Sequence, residues 1–67
     1  MIIQKLINKY QAEIDLRIEN IMILTNNPVG VPEHPDMAAT ITSELEMISH
    51  YYDLIEAARL VLQENNS

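Results

Sequence analysis

The chain has 67 residues, of which 48% are hydrophobic, with no cysteine and a formal net charge of −6. This length argues against two domains and most enzyme scaffolds, and the lack of cysteine excludes disulfides, thiolate nucleophiles and cysteine-based zinc sites. The longest unbroken apolar run, Ile21 to Leu24, is too short for a membrane span or a signal-peptide core. We therefore expect a small acidic protein of the cytoplasm that does not bind membranes.

An amphipathic pattern in the first part of the chain predicts a helix over about residues 2–26. Apolar residues recur there at spacings of three and four, which is the period of one helix face. Polar residues such as Gln4, Gln11 and Glu19 occupy the opposite side. The apolar stripe of this helix contains Ile3, Ile7, Tyr10, Ile14, Ile18 and Ile21.

The next segment, residues 27–34, is predicted to be a connector. All three prolines and the single glycine fall between Pro28 and Pro35. Pro28 disfavours helical dihedrals in the residue before it, and Pro35 suits the first position of a helix. We predict that the connector joins two antiparallel helices, and that Val31 to His34 form a second candidate contact site for a partner.

The second helix, predicted over about residues 35–64, carries two adjacent apolar stripes. Both repeat with alternating steps of three and four, as coiled-coil seams do. Arg59 interrupts the first stripe, and Thr40 and Glu44 interrupt the second. The first stripe comprises Ala38, Ile41, Leu45, Ile48, Tyr52, Ile55 and Leu62. The second stripe comprises Met37, Met47, Tyr51, Leu54, Ala58 and Val61.

Two stripes form an apolar face wider than one partner helix covers, so a lone hairpin would leave the second stripe in water. Joining two hairpins supplies the missing contacts. We therefore predict an all-α protein whose antiparallel helical hairpins form a homodimer, a four-helix bundle. Docking on a foreign protein is the competing way to cover the surplus. The predicted dimer core contains Ile7, Ile14, Ile18, Ile21, Ile41, Leu45, Ile48, Tyr52 and Ile55.

The negative charge belongs entirely to the second half of the chain. From Asn27 onward seven acidic residues stand against Arg59 alone, whereas the first half is neutral. Such a field repels phosphate backbones, so we expect no direct binding of nucleic acid. The candidate face for a protein partner consists of Glu46, His50, Asp53 and Glu56. The same carboxylates could instead mimic a nucleic-acid backbone and occupy a DNA-binding protein, or simply keep a small bundle soluble.

A metal site is a further alternative, because Glu46, His50 and Asp53 share one face of a helix. Di-iron bundles, however, use a Glu-x-x-His spacing together with inward-pointing glutamates. Here the spacing is Glu-x-x-x-His on the polar face, which favours a solvated side-chain pair. With no glycine-rich phosphate loop and no plausible Ser-His-Asp arrangement, we expect no catalytic residue, no metal and no other cofactor.

The proline-spaced run from Asn27 to Asp36 is followed by an acidic helix with Glu44-Leu45-Glu46 and Tyr52-Asp53. This combination, which covers roughly the last forty residues, resembles short proteins from the exo–xis region of temperate lambda-like phages. The resemblance implies an early-expressed, non-catalytic accessory protein. Such a protein would influence host takeover, or the choice between lysis and lysogeny, through protein contacts.

Overall fold

The protein forms two long helices packed against each other as a hairpin. The computed structural model describes residues 1–26 and 35–65. Helix α1 spans Ile2–Asn26 and helix α2 spans Pro35–Asn65. The predicted all-α hairpin is therefore confirmed, and α2 ends one residue beyond its predicted end. The predicted contact site from Val31 to His34 lies outside the described residues.

Side-chain contacts fix the direction and register of the two helices. The rings of Tyr10 and Tyr51 stack with their centroids 5.9 Å apart. Nearer the connector, Arg17 Nη1 donates a hydrogen bond to Glu44 Oε1 over 3.2 Å. Tyr10 contacts Tyr51, whereas Arg17, later in α1, contacts Glu44, which is earlier in α2. The two helices therefore run antiparallel.

Polar residues near the connector stabilise the helix ends that flank it. Thr25 Oγ1 donates to the carbonyl oxygen of Ile21 over 2.9 Å, close to the C-terminus of α1. Helix α2 begins at Pro35, where the missing amide hydrogen of proline costs nothing. Asp36 lies in the first turn of α2, where the helix dipole favours a negative charge.

The core between the helices is narrow. Among the described hydrophobic residues, only Ile7, Ile14 and Ile55 are buried, and Ile14 is fully so. Both stripes of α2 contribute to the partly buried layer around these residues, so the boundary between the stripes faces α1. The partly buried apolar residues packed against the core are Ile3, Tyr10, Ile48, Tyr51, Ala58 and Leu62.

This orientation of α2 corrects the expectation that the second stripe would be left in water. Tyr51 and Ala58 pack on the core, and Val61, at 46% exposed, is the only residue of the second stripe that is not at least partly buried. The exposed apolar surplus instead includes Leu45 and Tyr52 of the first stripe. The physical reason is that α1 covers the centre of a broad face, so both outer margins stay partly open.

Candidate interaction surfaces

One long edge of the hairpin is closed by polar contacts between α1 and α2. We call it the polar edge, and it consists of Glu13, Arg17, Asn20, Glu44 and Tyr51. Glu44 accepts hydrogen bonds from Arg17 and from Asn20 Nδ2, the latter over 3.3 Å. Glu13 Oε2 accepts from Arg17 Nη2 over 3.2 Å and from the Tyr51 hydroxyl over 3.3 Å. These bonds connect the two helices side by side along about two turns.

Arg17 is the central cation of the polar edge. Its side chain is only 24% exposed, and its Nε atom is buried without a hydrogen-bond partner among the described residues. Burial acts to lower the pKa of Arg17, but attraction and hydrogen bonding by Glu44 and Glu13 outweigh it, so the pKa is raised. Because the pKa is raised on folding, this charge stabilises the fold below the unfolded pKa while Glu44 and Glu13 are ionised, and the contribution is lost as pH rises through the raised pKa.

Sequence reasoning did not predict the polar edge. It treated Glu44 as an interruption of an apolar stripe. The available signal was a carboxylate at an otherwise apolar helix position, which indicates a charged partner on the facing helix. Beside this edge lies a shallow cleft of about 290 Å³, lined by Asn20, Ile23, Leu24, Thr40 and Glu44.

The opposite edge of the hairpin carries exposed apolar side chains. On α1, Arg17 lies about 60° to one side of Ile14 and Ile18 about 40° to the other. On α2, Tyr51 and Tyr52 lie on opposite sides of Ile55 for the same reason. Since Arg17 and Tyr51 both belong to the polar edge, Ile18 and Tyr52 share the other edge.

We call this second surface the apolar patch, and it consists of Ile18, Met22, Leu45 and Tyr52. Met22 is one turn beyond Ile18, and Leu45 is two turns before Tyr52, so each pair stays on one side of its helix. The four side chains are 42%, 54%, 53% and 53% exposed, respectively. Because Arg17 lies level with Glu44, Ile18 and Leu45 lie at the same height on neighbouring helices.

The structure places the remaining predicted core residues in two groups. Ile7, Ile14 and Ile55 are buried inside the single hairpin. Ile21, Ile41 and Ile48 are half-buried, whereas Ile18, Leu45 and Tyr52 are exposed in the apolar patch. The predicted dimer core thus divides into a part that one chain already covers and a part that one chain leaves exposed.

The four predicted partner-face residues are exposed on the outer side of α2. We call them the acidic face: Glu46, His50, Asp53 and Glu56. Glu56 Oε1 lies 3.5 Å from Arg59 Nη1, one turn further along. The imidazole of His50 lies against the Tyr51 ring, with centroids 5.6 Å apart. The face therefore borders the polar edge through adjacent aromatic rings.

The metal alternative finds no support in the side-chain arrangement. Within residues 1–26 and 35–65, no group of three histidine, aspartate or glutamate side chains comes together as metal ligands would. In particular, Glu46, His50 and Asp53 share a helix face without converging on one point.

The single chain exposes more surface than a compact monomer of the same mass. Its accessible surface is 5147 Å², whereas a compact monomer of 7.7 kDa exposes about 4300 Å². The radius of gyration is 15.8 Å, compared with about 11 Å for a compact domain of this length. The excess of about 800 Å² equals the area that one partner buries in a standard protein–protein interface.

Neither described helix contains a stretch apolar enough to cross a membrane. Comparison with protein-family models, curated proteins and solved structures gives no significant match to this chain.

Proposed function

We propose that this protein is a small, acidic, non-enzymatic regulator that works through protein–protein contacts. In this proposal two copies associate through the apolar patch into a four-helix bundle. The bundle then presents the acidic face of each α2 to a different protein. Consistent with the phage resemblance, the partner would be a host or phage protein in the cytoplasm of the infected cell, and the outcome would be host takeover or the choice between lysis and lysogeny.

The observation that carries the proposal is the exposed apolar surface. In residues 1–26 and 35–65 only three hydrophobic residues are buried, which is a small core, and chains of this size need additional burial for stability. The excess surface matches one half of a standard interface. The apolar patch supplies aliphatic and aromatic side chains, and tyrosine is enriched where interfaces bind most strongly.

The acidic face supports the second part of the proposal. Helix α2 contains six acidic residues and one arginine, and Glu46, His50, Asp53 and Glu56 all face solvent. A negative field of this kind accelerates and selects encounters with basic protein surfaces. A regulator that binds a basic surface on another protein fits this distribution best.

Self-association is tested by sedimentation equilibrium on the untagged chain across a range of concentrations. We expect a mass of twice 7.7 kDa at low micromolar concentration. A well-folded monomer under those conditions would overturn the dimer. Circular dichroism at each concentration verifies that any monomer observed is folded.

Partner binding is tested by capture from a host extract with two matched double variants. Glu46→Lys with Asp53→Lys reverses two charges of the acidic face, and Asp15→Lys with Glu19→Lys reverses two exposed charges of α1. We expect a partner that the wild type and the α1 variant retain and that the acidic-face variant loses. Equal capture by all three proteins would contradict a role for the acidic face.

The same experiment separates the regulator from a nucleic-acid mimic. A mimic would capture a DNA-binding protein and compete with DNA for it, with binding that weakens steeply as salt rises.

The metalloprotein alternative predicts stoichiometric metal in untagged protein, together with a lower melting temperature in His50→Ala. Absence of both effects would remove that alternative.

A further inference from the structure

We infer that the two hairpins of the dimer lie face to face with their connectors at the same end. In this arrangement α1 of each copy packs against α2 of the other, and the two-fold axis runs along the bundle. The inference rests on the proposed self-association and specifies its geometry. The competing arrangement points the connectors in opposite directions and packs α1 on α1 and α2 on α2. Helix dipoles do not distinguish the two, since neighbouring helices run antiparallel in both.

The first observation is the position of the apolar patch along the hairpin. Ile18, Met22 and Leu45 lie in the half nearest the connector, and Tyr52 lies close to the middle of α2. Further from the connector, the same edge carries polar residues. Gln11 lies seven residues before Ile18 in α1, and Arg59 lies seven residues after Tyr52 in α2. The distal half of this edge is therefore polar, whereas the half near the connector is apolar.

The hydrogen bonds of the distal half show how it is occupied. Gln11 Nε2 donates to Asp15 Oδ1 over 3.1 Å, and Gln4 Nε2 donates to Asn8 Oδ1 over 3.2 Å, both along α1. Arg59 is 62% exposed and pairs with Glu56. These groups would lose water without gaining partners if an apolar patch covered them.

Apolar matching therefore favours connectors at the same end. In that orientation the two hairpins overlap along their full length, with patch opposite patch and polar part opposite polar part. The opposed orientation, at full overlap, places Ile18 of one copy beside the polar distal part of the other copy's α1, where Gln4 and Gln11 lie. Sliding the hairpins until the patches meet leaves part of each distal half uncovered and forfeits part of the roughly 800 Å² that a standard interface buries on each side.

The second observation is the unequal charge of the two helices. Helix α1 has three basic and three acidic residues, whereas α2 has six acidic residues against Arg59. The opposed orientation sets α2 beside α2, so that two strongly negative helices become neighbours. With connectors at the same end, each α2 has a neutral α1 on both sides and the two acidic helices lie on the diagonal of the bundle. Like charges are then as far apart as four helices allow, which lowers their repulsion.

Spin-label distances test this geometry, and the lack of native cysteine makes each introduced thiol unique. Ile2→Cys and Asn26→Cys place labels at the two exposed ends of α1, each twelve residues from its middle. Leu16→Cys places a label near the middle, on an exposed position outside the apolar patch. Each full-length variant is labelled with a nitroxide and measured by pulsed electron resonance at a concentration where sedimentation shows the dimer.

Connectors at the same end predict distances below about 30 Å at both Ile2→Cys and Asn26→Cys, because both labels of a pair lie at one end of a narrow bundle. Opposed hairpins at full overlap predict about 36 Å or more at both positions, which is the length of α1 at 1.5 Å per residue. Staggered opposed hairpins predict a short distance at Asn26→Cys and a much longer one at Ile2→Cys. A long distance at either end would overturn the inference.

The central label separates this inference from the proposed function. Leu16→Cys gives a measurable distance in either orientation, so it reports the dimer itself. Its presence together with a long end-label distance would overturn the orientation and leave the dimer standing. A folded monomer in sedimentation, together with no dipolar signal at any of the three positions, would overturn the self-association, and the orientation with it.

Discussion

The two long edges of the hairpin differ in how far contacts within one chain cover their side chains. Along the polar edge, Glu44 accepts hydrogen bonds from both Arg17 and Asn20, and Glu13 accepts from Arg17 and Tyr51. Along the apolar edge, the side chains of the apolar patch are 42–54% exposed. The same two helices thus form one edge that is closed within the chain and one that is open.

This difference shows where association is favourable. Polar groups on neighbouring helices find partners within the chain because long side chains reach across a helix pair. An apolar side chain at the margin keeps about half of its surface in water, and hydrophobic stabilisation is proportional to the apolar area removed from water. Closing the open edge therefore requires a second apolar surface.

The largest effect is expected from Ile14→Ala, which removes the buried side chain that supports both edges. Ile14 is fully buried, and truncating such a residue costs about 2–5 kcal/mol through lost burial and a residual cavity. The measurement is chemical unfolding followed by circular dichroism at fixed protein concentration. Leu16→Ala is the matched control, since Leu16 is 48% exposed on the same helix. Equal losses for the two variants would contradict the placement of the core.

A second, large effect is expected from Leu45→Lys, which places a charge in the open edge. We expect the dimer dissociation constant to rise about a hundredfold or more, because a central interface position would bury an unpaired ammonium group. Sedimentation measures the constant. Leu60→Lys makes the same charge change at a 62% exposed position of α2 outside the patch, and it should leave the dimer intact. If Leu60→Lys dissociated the dimer and Leu45→Lys did not, the interface would lie on the outer side of α2.

A moderate effect is expected from Glu44→Gln in the closed edge. The change keeps the shape of the side chain but removes the charge that faces Arg17 and replaces one acceptor with a donor. We expect a loss of about 1–2 kcal/mol in the free energy of unfolding, since hydrogen bonds to charged groups exceed neutral ones. The oligomeric state should not change. Glu46→Gln, two residues along and exposed, should leave stability nearly constant, and a dissociated dimer in Glu44→Gln would show that the two edges are coupled.

The smallest effect is expected from Tyr51→Phe, which removes one hydroxyl from the closed edge. The ring and its stacking on Tyr10 remain, while the 3.3 Å hydrogen bond to Glu13 is lost. We expect the free energy of unfolding to fall by less than about 1 kcal/mol. Tyr10→Phe is the control, because the Tyr10 hydroxyl makes no hydrogen bond to a described residue; a larger loss in Tyr10→Phe would reverse the assignment of the polar contact.

The helices themselves were predictable because their signals are local. The three-four spacing from Ile3 to Ile21, the prolines of the connector and Pro35 at a helix start depend only on neighbouring residues. The orientation of α2 was not predictable, because two adjacent stripes permit several rotations of the helix about its axis. The observed rotation buries Ile55 and, on the same side of α2, brings Glu44 to Arg17.

The sequence by itself determined two helices, their bounds and the confinement of negative charge to the second half, because periodicity, proline placement and residue type are properties of the chain. Only the tertiary structure decided that the boundary between the stripes of α2 faces α1. It also decided that Arg17 and Glu44 close one edge, and that Ile18 and Leu45 lie level on the other. The physical reason is that contacts between residues far apart in the chain depend on helix rotation and register. Both are set jointly by core packing and by the need to pair partly buried charges.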